Sequence, residues 1–135
     1  FAVLPPALDA KDARSAACQE MYRCVDPKEL PSCESLKTTI DRVVPYFNDV
    51  IKQDMLEGKR VIIAAHGNSL RALVKYFDKI SEEDIVNLNI PTGIPLIYEF
   101  DALGNPVRHY YLGDQRLLQQ KMEAVANQGK QAVHV

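Results

Sequence analysis

The longest unbroken apolar run, Val61-Ile-Ile-Ala-Ala65, stops at His66, Gly67 and Asn68. A short continuous run of this kind suits a strand buried on both faces, as in a parallel sheet. Beyond it, Leu70, Leu73, Val74 and Phe77 recur at spacings of three and four, the pattern of one helix face. The pattern predicts strand, tight turn and helix, with Ser69 as N-cap and His66 at the carboxyl end of the strand. Upstream, Leu36, Ile40, Val43, Phe47 and Val50, then Ile51 and Met55, predict a long core-facing helix. Ser32 is its expected N-cap, Glu34 lies in its first turn, and Gly58 is its expected stop. Pro45 removes an N–H from that run and predicts a kink or a split.

Downstream, Ser81-Glu-Glu-Asp84 reads as a helix start, with Ile85 and Leu88 turned inward. Asn89-Ile-Pro-Thr-Gly93 is a turn rich in breakers. Ile94 to Phe100 and Val107 to Leu112, separated by Leu103-Gly-Asn-Pro106, predict a hairpin, and His109 in its second strand is expected at the surface. Asp114 is expected to cap a last helix with Leu117, Leu118, Met122 and Val125 inward and Gly129 as its stop. Residues 1–30 predict loop with one short helix, and Lys130 to Val135 a mobile tail. Strands alternating with helices make the expected class α/β.

Composition narrows the picture. With 135 residues, 47% apolar and 25% charged, the chain fits one soluble domain or a large part of one. A net charge of −2 leaves no electrostatic footprint for nucleic acid or an anionic membrane. No apolar run approaches a membrane span, and Phe1-Ala-Val-Leu lacks the basic start of a signal peptide. Cys18, Cys24 and Cys33 make an odd count without a C-x-x-C pair and are expected to be free thiols. Three scattered histidines give no metal-ligand spacing, so no metal is expected.

The candidate chemistry lies where the apolar run ends. A helix start presents unpaired N–H groups and a partial positive charge, a natural seat for phosphate or carboxylate. Gly67 lets an anion approach the backbone, and Asn68 can donate from its amide. His66 can carry a proton or a phosphoryl group near neutral pH, or merely satisfy a carbonyl at a strand end. Arg71 can reach an anion or form a structural salt bridge.

Ala64-Ala-His-Gly-Asn-Ser-Leu-Arg71 resembles the second histidine motif of the cofactor-dependent phosphoglycerate mutases, in the histidine phosphatase superfamily. Leu30-Pro-Ser-Cys-Glu-Ser-Leu36, Gly58-Lys-Arg-Val-Ile-Ile63, Leu88-Asn-Ile-Pro-Thr-Gly-Ile-Pro95, Tyr111-Leu-Gly-Asp114 and Ala124-Val-Ala-Asn-Gln-Gly-Lys130 resemble that family in the family's order. The resemblance implies a three-layer α/β fold with a mostly parallel sheet flanked by helices. It implies His66 as a catalytic residue that stabilises a transferring phosphoryl group, with Gly67 and Asn68 binding substrate. Thr92 and Gly93 are further candidate substrate contacts, and the tail, with Lys130 and His134, is a candidate closure. It also implies 3-phosphoglycerate and 2-phosphoglycerate as substrates, 2,3-bisphosphoglycerate as primer, no metal, and a cytoplasmic homo-oligomer in glycolysis and gluconeogenesis. The family's nucleophile stands in an Arg-His-Gly motif, and no such motif occurs here. Residues 1–135 are therefore expected to be the carboxyl-terminal part of a single domain, with amino-terminal strands missing and no phosphoryl transfer of their own. A histidine-type phosphatase, or a non-catalytic fragment that binds anions or self-associates, are the alternatives.

Overall fold

The computed structural model describes residues 1–128. Residues 1–30 are turns and two 3-10 helices, Ala16–Cys18 and Glu20–Tyr22, almost wholly exposed. The first long helix begins three residues later than its sequence predicts. Helix α1 spans Leu36–Tyr46, and Ser35, not Ser32, is its N-cap. Ser35 Oγ accepts from the Thr38 N–H at 3.2 Å while Thr38 Oγ1 accepts from the Ser35 N–H at 2.9 Å. Two orphan donors are thus satisfied reciprocally, which fixes the start. Glu34 falls just outside the helix.

Pro45 acts downstream of itself. The α-helical ladder lasts through Tyr46, turns π-helical over Phe47–Ile51, and resumes as helix α2, Lys52–Leu56. Gly58, at φ 83°, ends the run as expected.

The predicted strand at Val61–Ala65 is not paired with anything among the described residues. Arg60 to Ala65 form an extended segment without a backbone hydrogen bond. Val61, Ile62 and Ile63 are 38, 95 and 37% exposed. The sheet of the described residues holds two antiparallel strands, so the mostly parallel, three-layer sheet is not seen here. The physical reason is plain. A strand exists only with a neighbour to accept its N–H and donate to its C=O, and the described residues offer this segment none.

Helix α3, Gly67–Asp78, buries Ala72, Leu73, Val74 and Phe77 against α1. It starts three residues before the predicted position, with His66 itself, not Ser69, as N-cap. It closes at Lys79, which takes the left-handed conformation at φ 53°. The acidic segment after it is shorter than expected. It forms a 3-10 turn, Asp84–Asn87, whose first N–H, that of Asp84, donates to Ser81 Oγ at 3.0 Å. Ile85 is fully buried, as predicted, and Leu88 half-buried.

Strands β1, Leu96–Phe100, and β2, Pro106–Tyr111, form the predicted hairpin, with a register irregularity at Glu99/Phe100. Its turn rests on Asp101, whose carboxylate accepts from the Leu103 and Asn105 N–H groups, and on Gly104 at φ 74°. His109 is exposed, as predicted, with Nδ1 3.3 Å from Asp78 Oδ2 at the far end of α3. Tyr98 donates to the same carboxylate at 3.0 Å, and burial pushes its hydroxyl well above the usual tyrosine range.

Helix α4, Gln115–Asn127, is capped by Asp114, whose carboxylate accepts from the Arg116 N–H at 2.6 Å. Leu118, Met122 and Val125 are half-buried, while Leu117 stays exposed. The expected stop at Gly129 and the tail from Lys130 lie outside the described residues. The core sits where α1, the π-helical turn, α3 and β1 meet. Phe47, Leu73 and Phe77 are buried there, packed by Val43, Ile51, Met55, Tyr98 and Phe100. Phe77 is its hub, with ring centroids 4.8 Å from Phe47, 5.0 Å from Tyr98 and 5.2 Å from Phe100. That cluster holds the body of α3, and so holds the position of the residues at its start.

Candidate active site

A cleft of about 660 Å³ opens at the amino end of α3. One wall is His66, Gly67, Asn68 and Ser69; the facing wall is Leu88, Asn89, Ile90 and Thr92. Glu34, Thr39 and Arg42 come from α1 and its approach, and Val125 and Gln128 from the end of α4.

The helix start is open chemistry. The first intrahelical bond runs from the Leu70 N–H to the His66 carbonyl at 3.0 Å. The N–H groups of Gly67, Asn68 and Ser69 therefore have no acceptor in the helix. No side chain caps them, because N-cap His66 makes no such bond. Three successive donors at the positive end of a 12-residue helix face the cleft region. No atom lies within 4 Å of where a Cβ on Gly67 would stand, so space is open beside that backbone. His66 is exposed on the cleft wall and is not packed into the core.

Arg71 resolves differently from either expectation taken alone. It forms no salt bridge among the described residues. Its Nη1 donates to Asn68 Oδ1 at 3.2 Å and its Nη2 to the Ile85 carbonyl at 2.6 Å. Its Nε is buried without an acceptor. Burial lowers its pKa from the usual arginine value, yet a guanidinium stays charged at neutral pH. The second arginine on the wall, Arg42, is neutralised: it binds both Glu34 oxygens, through Nε at 2.5 Å and Nη2 at 2.9 Å. The Arg42 hydrogen bonds hold the Glu34 carboxyl below its usual range.

Of the residues the sequence singles out, His66, Gly67, Asn68 and Thr92 line this one cleft. Gly93 does not; its φ of 77° serves the turn beside Thr92. Lys130 and His134 lie outside the described residues. Glu34, Thr39, Arg42 and Asn89 are wall residues that sequence reasoning missed. Thr39 is 2% exposed with Oγ1 spent on the Ser35 carbonyl, so its contribution is shape. The three cysteines are unpaired, as expected, with Cys18 and Cys24 exposed. No described helix is long and apolar enough to cross a membrane.

A sequence profile of the histidine phosphatase superfamily, branch 1, matches residues 7–112. The chain belongs to that superfamily. It is similar to proteins named 2,3-bisphosphoglycerate-dependent phosphoglycerate mutase. It is 56% identical over 130 residues to that of Borreliella burgdorferi, strain ZS7, and 56% to that of Borreliella afzelii. Identity to the protein of the same name from Hamiltonella defensa is 54%. Each alignment covers 96% of this chain and 52% of the relative. The chain thus spans about half the length of the curated relatives it matches.

Proposed function

We infer that this chain is the carboxyl-terminal part of a single-domain 2,3-bisphosphoglycerate-dependent phosphoglycerate mutase. Its role is to hold a phosphoryl group from one side while the nucleophile comes from residues it does not include. The enzyme interconverts 3-phosphoglycerate and 2-phosphoglycerate in the cytoplasm, in glycolysis and gluconeogenesis, as a homo-oligomer. The observation that carries this reading is the uncapped helix start beside His66. It offers three free backbone donors, an asparagine amide and an unneutralised Arg71 on one wall.

Phosphoryl transfer spreads negative charge over three equatorial oxygens, and catalysis rests on placement and electrostatics. The N–H groups of Gly67, Asn68 and Ser69 are suited to bind those oxygens without reorganising. His66, at the same end, donates a hydrogen bond to the migrating group and offsets its charge. Thr92, across the cleft, orients the glycerate end, with Gly93 shaping its turn. The donor set fits a phosphate of 2,3-bisphosphoglycerate, which as primer supplies the phosphoryl group of the resting enzyme. None of these residues needs a metal to act as a donor.

The test uses two preparations: these 135 residues alone and the product of the longest reading frame that contains them. Mutase turnover is expected only in a product that includes Arg-His-Gly, and to depend on 2,3-bisphosphoglycerate. There, His66→Ala should lower kcat by roughly 10²–10³, the usual loss on removing one oxyanion stabiliser. A near-normal rate would refute the role of His66. Hydrolysis without transfer would favour a phosphatase, and turnover by the 135 residues alone would overturn the division of labour.

A further inference from the structure

Among the described residues, Arg71 is the one permanent cation on the cleft wall that no carboxylate neutralises. Its two terminal nitrogens reach different elements. Nη1 binds Asn68 Oδ1 at 3.2 Å on the helix side. Nη2 binds the Ile85 carbonyl at 2.6 Å, in the 3-10 turn that runs into the Leu88–Asn89–Ile90 wall. A planar guanidinium fixes the angle between these bonds, so the group is a rigid strut between the helix start and the 3-10 turn.

The bond to Asn68 also decides which end of the amide is free. A primary amide has an accepting oxygen and a donating NH2. With the oxygen held by Arg71, the NH2 is left for the cleft. The flipped amide would set NH2 against guanidinium N–H groups, donor against donor, and lose the bond. We propose that Arg71 is a positioning residue: it orients the Asn68 amide with its donors toward an anionic ligand and ties the Leu88–Thr92 wall to the helix start. Arg71 touches the ligand only through Asn68. The functional part of this inference rests on the phosphate-binding reading of the cleft; the orientation of the amide does not. A lysine cannot replace it, since one compact ammonium does not span both acceptors with the fork's geometry.

The test is side-chain ¹⁵N relaxation of Asn68 in the 135-residue chain, in wild type, Arg71→Met and Arg71→Lys, with 3-phosphoglycerate as the probe ligand. In wild type the Asn68 NH2 order parameter should lie near the rigid value of about 0.85, and in both variants fall below about 0.6. Shifts of Leu73 and Phe77, in the core behind α3, report that the fold is kept. If Arg71→Met does not fold, Arg71→Lys decides. An Asn68 amide equally ordered in a folded variant overturns the proposal. Order lost in the variants, with 3-phosphoglycerate shifting neither His66 nor Asn68 in wild type, upholds the orientation and sinks the ligand reading instead.

Discussion

Phe47→Ala should be the most damaging single truncation in this chain, and the structure sets its size. Phe47 is 2% exposed and stands at the first position of the π-helical turn. Its ring meets Phe77 edge-on at 4.8 Å and lies 6.2 Å from Phe100 and 6.3 Å from Tyr76. Truncating such a side chain loses its transfer energy and leaves a cavity, together about 3–5 kcal/mol. The edge-to-face contact lies within that total, at roughly 0.5–1.5 kcal/mol. Whole domains have only about 5–15 kcal/mol to lose. A core whose buried cluster is Phe47, Leu73 and Phe77 belongs at the low end of that range. The variant should therefore retain only about 0–2 kcal/mol and stand at the edge of its unfolding transition in plain buffer. The control is next door: Tyr46 is 60% exposed, and Tyr46→Ala should change stability by no more than about 0.5 kcal/mol beyond its helix propensity. Urea unfolding followed by far-ultraviolet circular dichroism, with tyrosine fluorescence as second probe, measures both. A loss under about 1 kcal/mol for Phe47→Ala would mean that the aromatic cluster does not hold α1 to α3.

Three smaller perturbations test other parts. Glu34 has its pKa depressed below the ordinary 4.5 by Arg42, so the pair's contribution is complete above that value and is lost as pH falls through the depressed one. Both partners are partly exposed, so Glu34→Gln should cost under about 1 kcal/mol near neutral pH, and the two urea midpoints should converge in acid. A gap that persists in acid would refute the pairing. Gly104→Ala meets the Lys52 stem, with its Cε 2.5 Å from the new Cβ, but that stem is flexible. The left-handed φ of 74° remains and should cost roughly 1 kcal/mol in the same assay; no loss would mean that the turn relaxes. Ile62, 95% exposed on an unpaired extended segment, should promote self-association. Light scattering should show Ile62→Lys shifting the chain toward monomer, and a wild type already cleanly monomeric would remove the premise.

What the sequence made legible was periodic. Leu73, Val74 and Phe77 fell on the inner face of α3 because a helix repeats every 3.6 residues. The hairpin was legible from Gly104, Asn105 and Pro106 between two β-rich runs. What stayed hidden depends on reciprocity or on distance along the chain. Ser35 displaced Ser32 as cap because Thr38 bonds back to it, a variant of the Ser/Thr with Glu/Gln signature that the eye looks for. Pro45 announced a disturbance but not its form: the π-turn starts two residues later, at Phe47. Glu34 and Arg42 sit eight residues apart, and Arg71 reaches Ile85 across 14. No local pattern encodes such partners. His66, Gly67 and Asn68 were legible as an anion seat at a helix start, whereas Thr92 was singled out only through the family resemblance, its own stretch reading as no more than a turn.

The two sides of His66 are held unequally, and this bears on how the site works. On its carboxyl side, α3 is pinned by Leu73 and Phe77 to an aromatic core. On its amino side, Arg60 to Ala65 have no backbone partner among the described residues. An extended run with Ile62 wholly exposed is a poor use of apolar surface, at roughly 1.5–3 kcal/mol for each large side chain left in water instead of buried. Strands laid on both edges of this segment would pair its backbone, layers on its two faces would bury those side chains, and together they would fix the direction from which the chain enters His66. They would also place their own carboxyl ends beside the same helix start, where α/β proteins gather their ligands. On the proposed function, the helix half of the phosphate seat is already organised by the core, while strands beside Arg60 to Ala65 would order the imidazole. On that same reading, residues that complete the sheet would contribute twice, once through the side chains they carry and once by ordering His66.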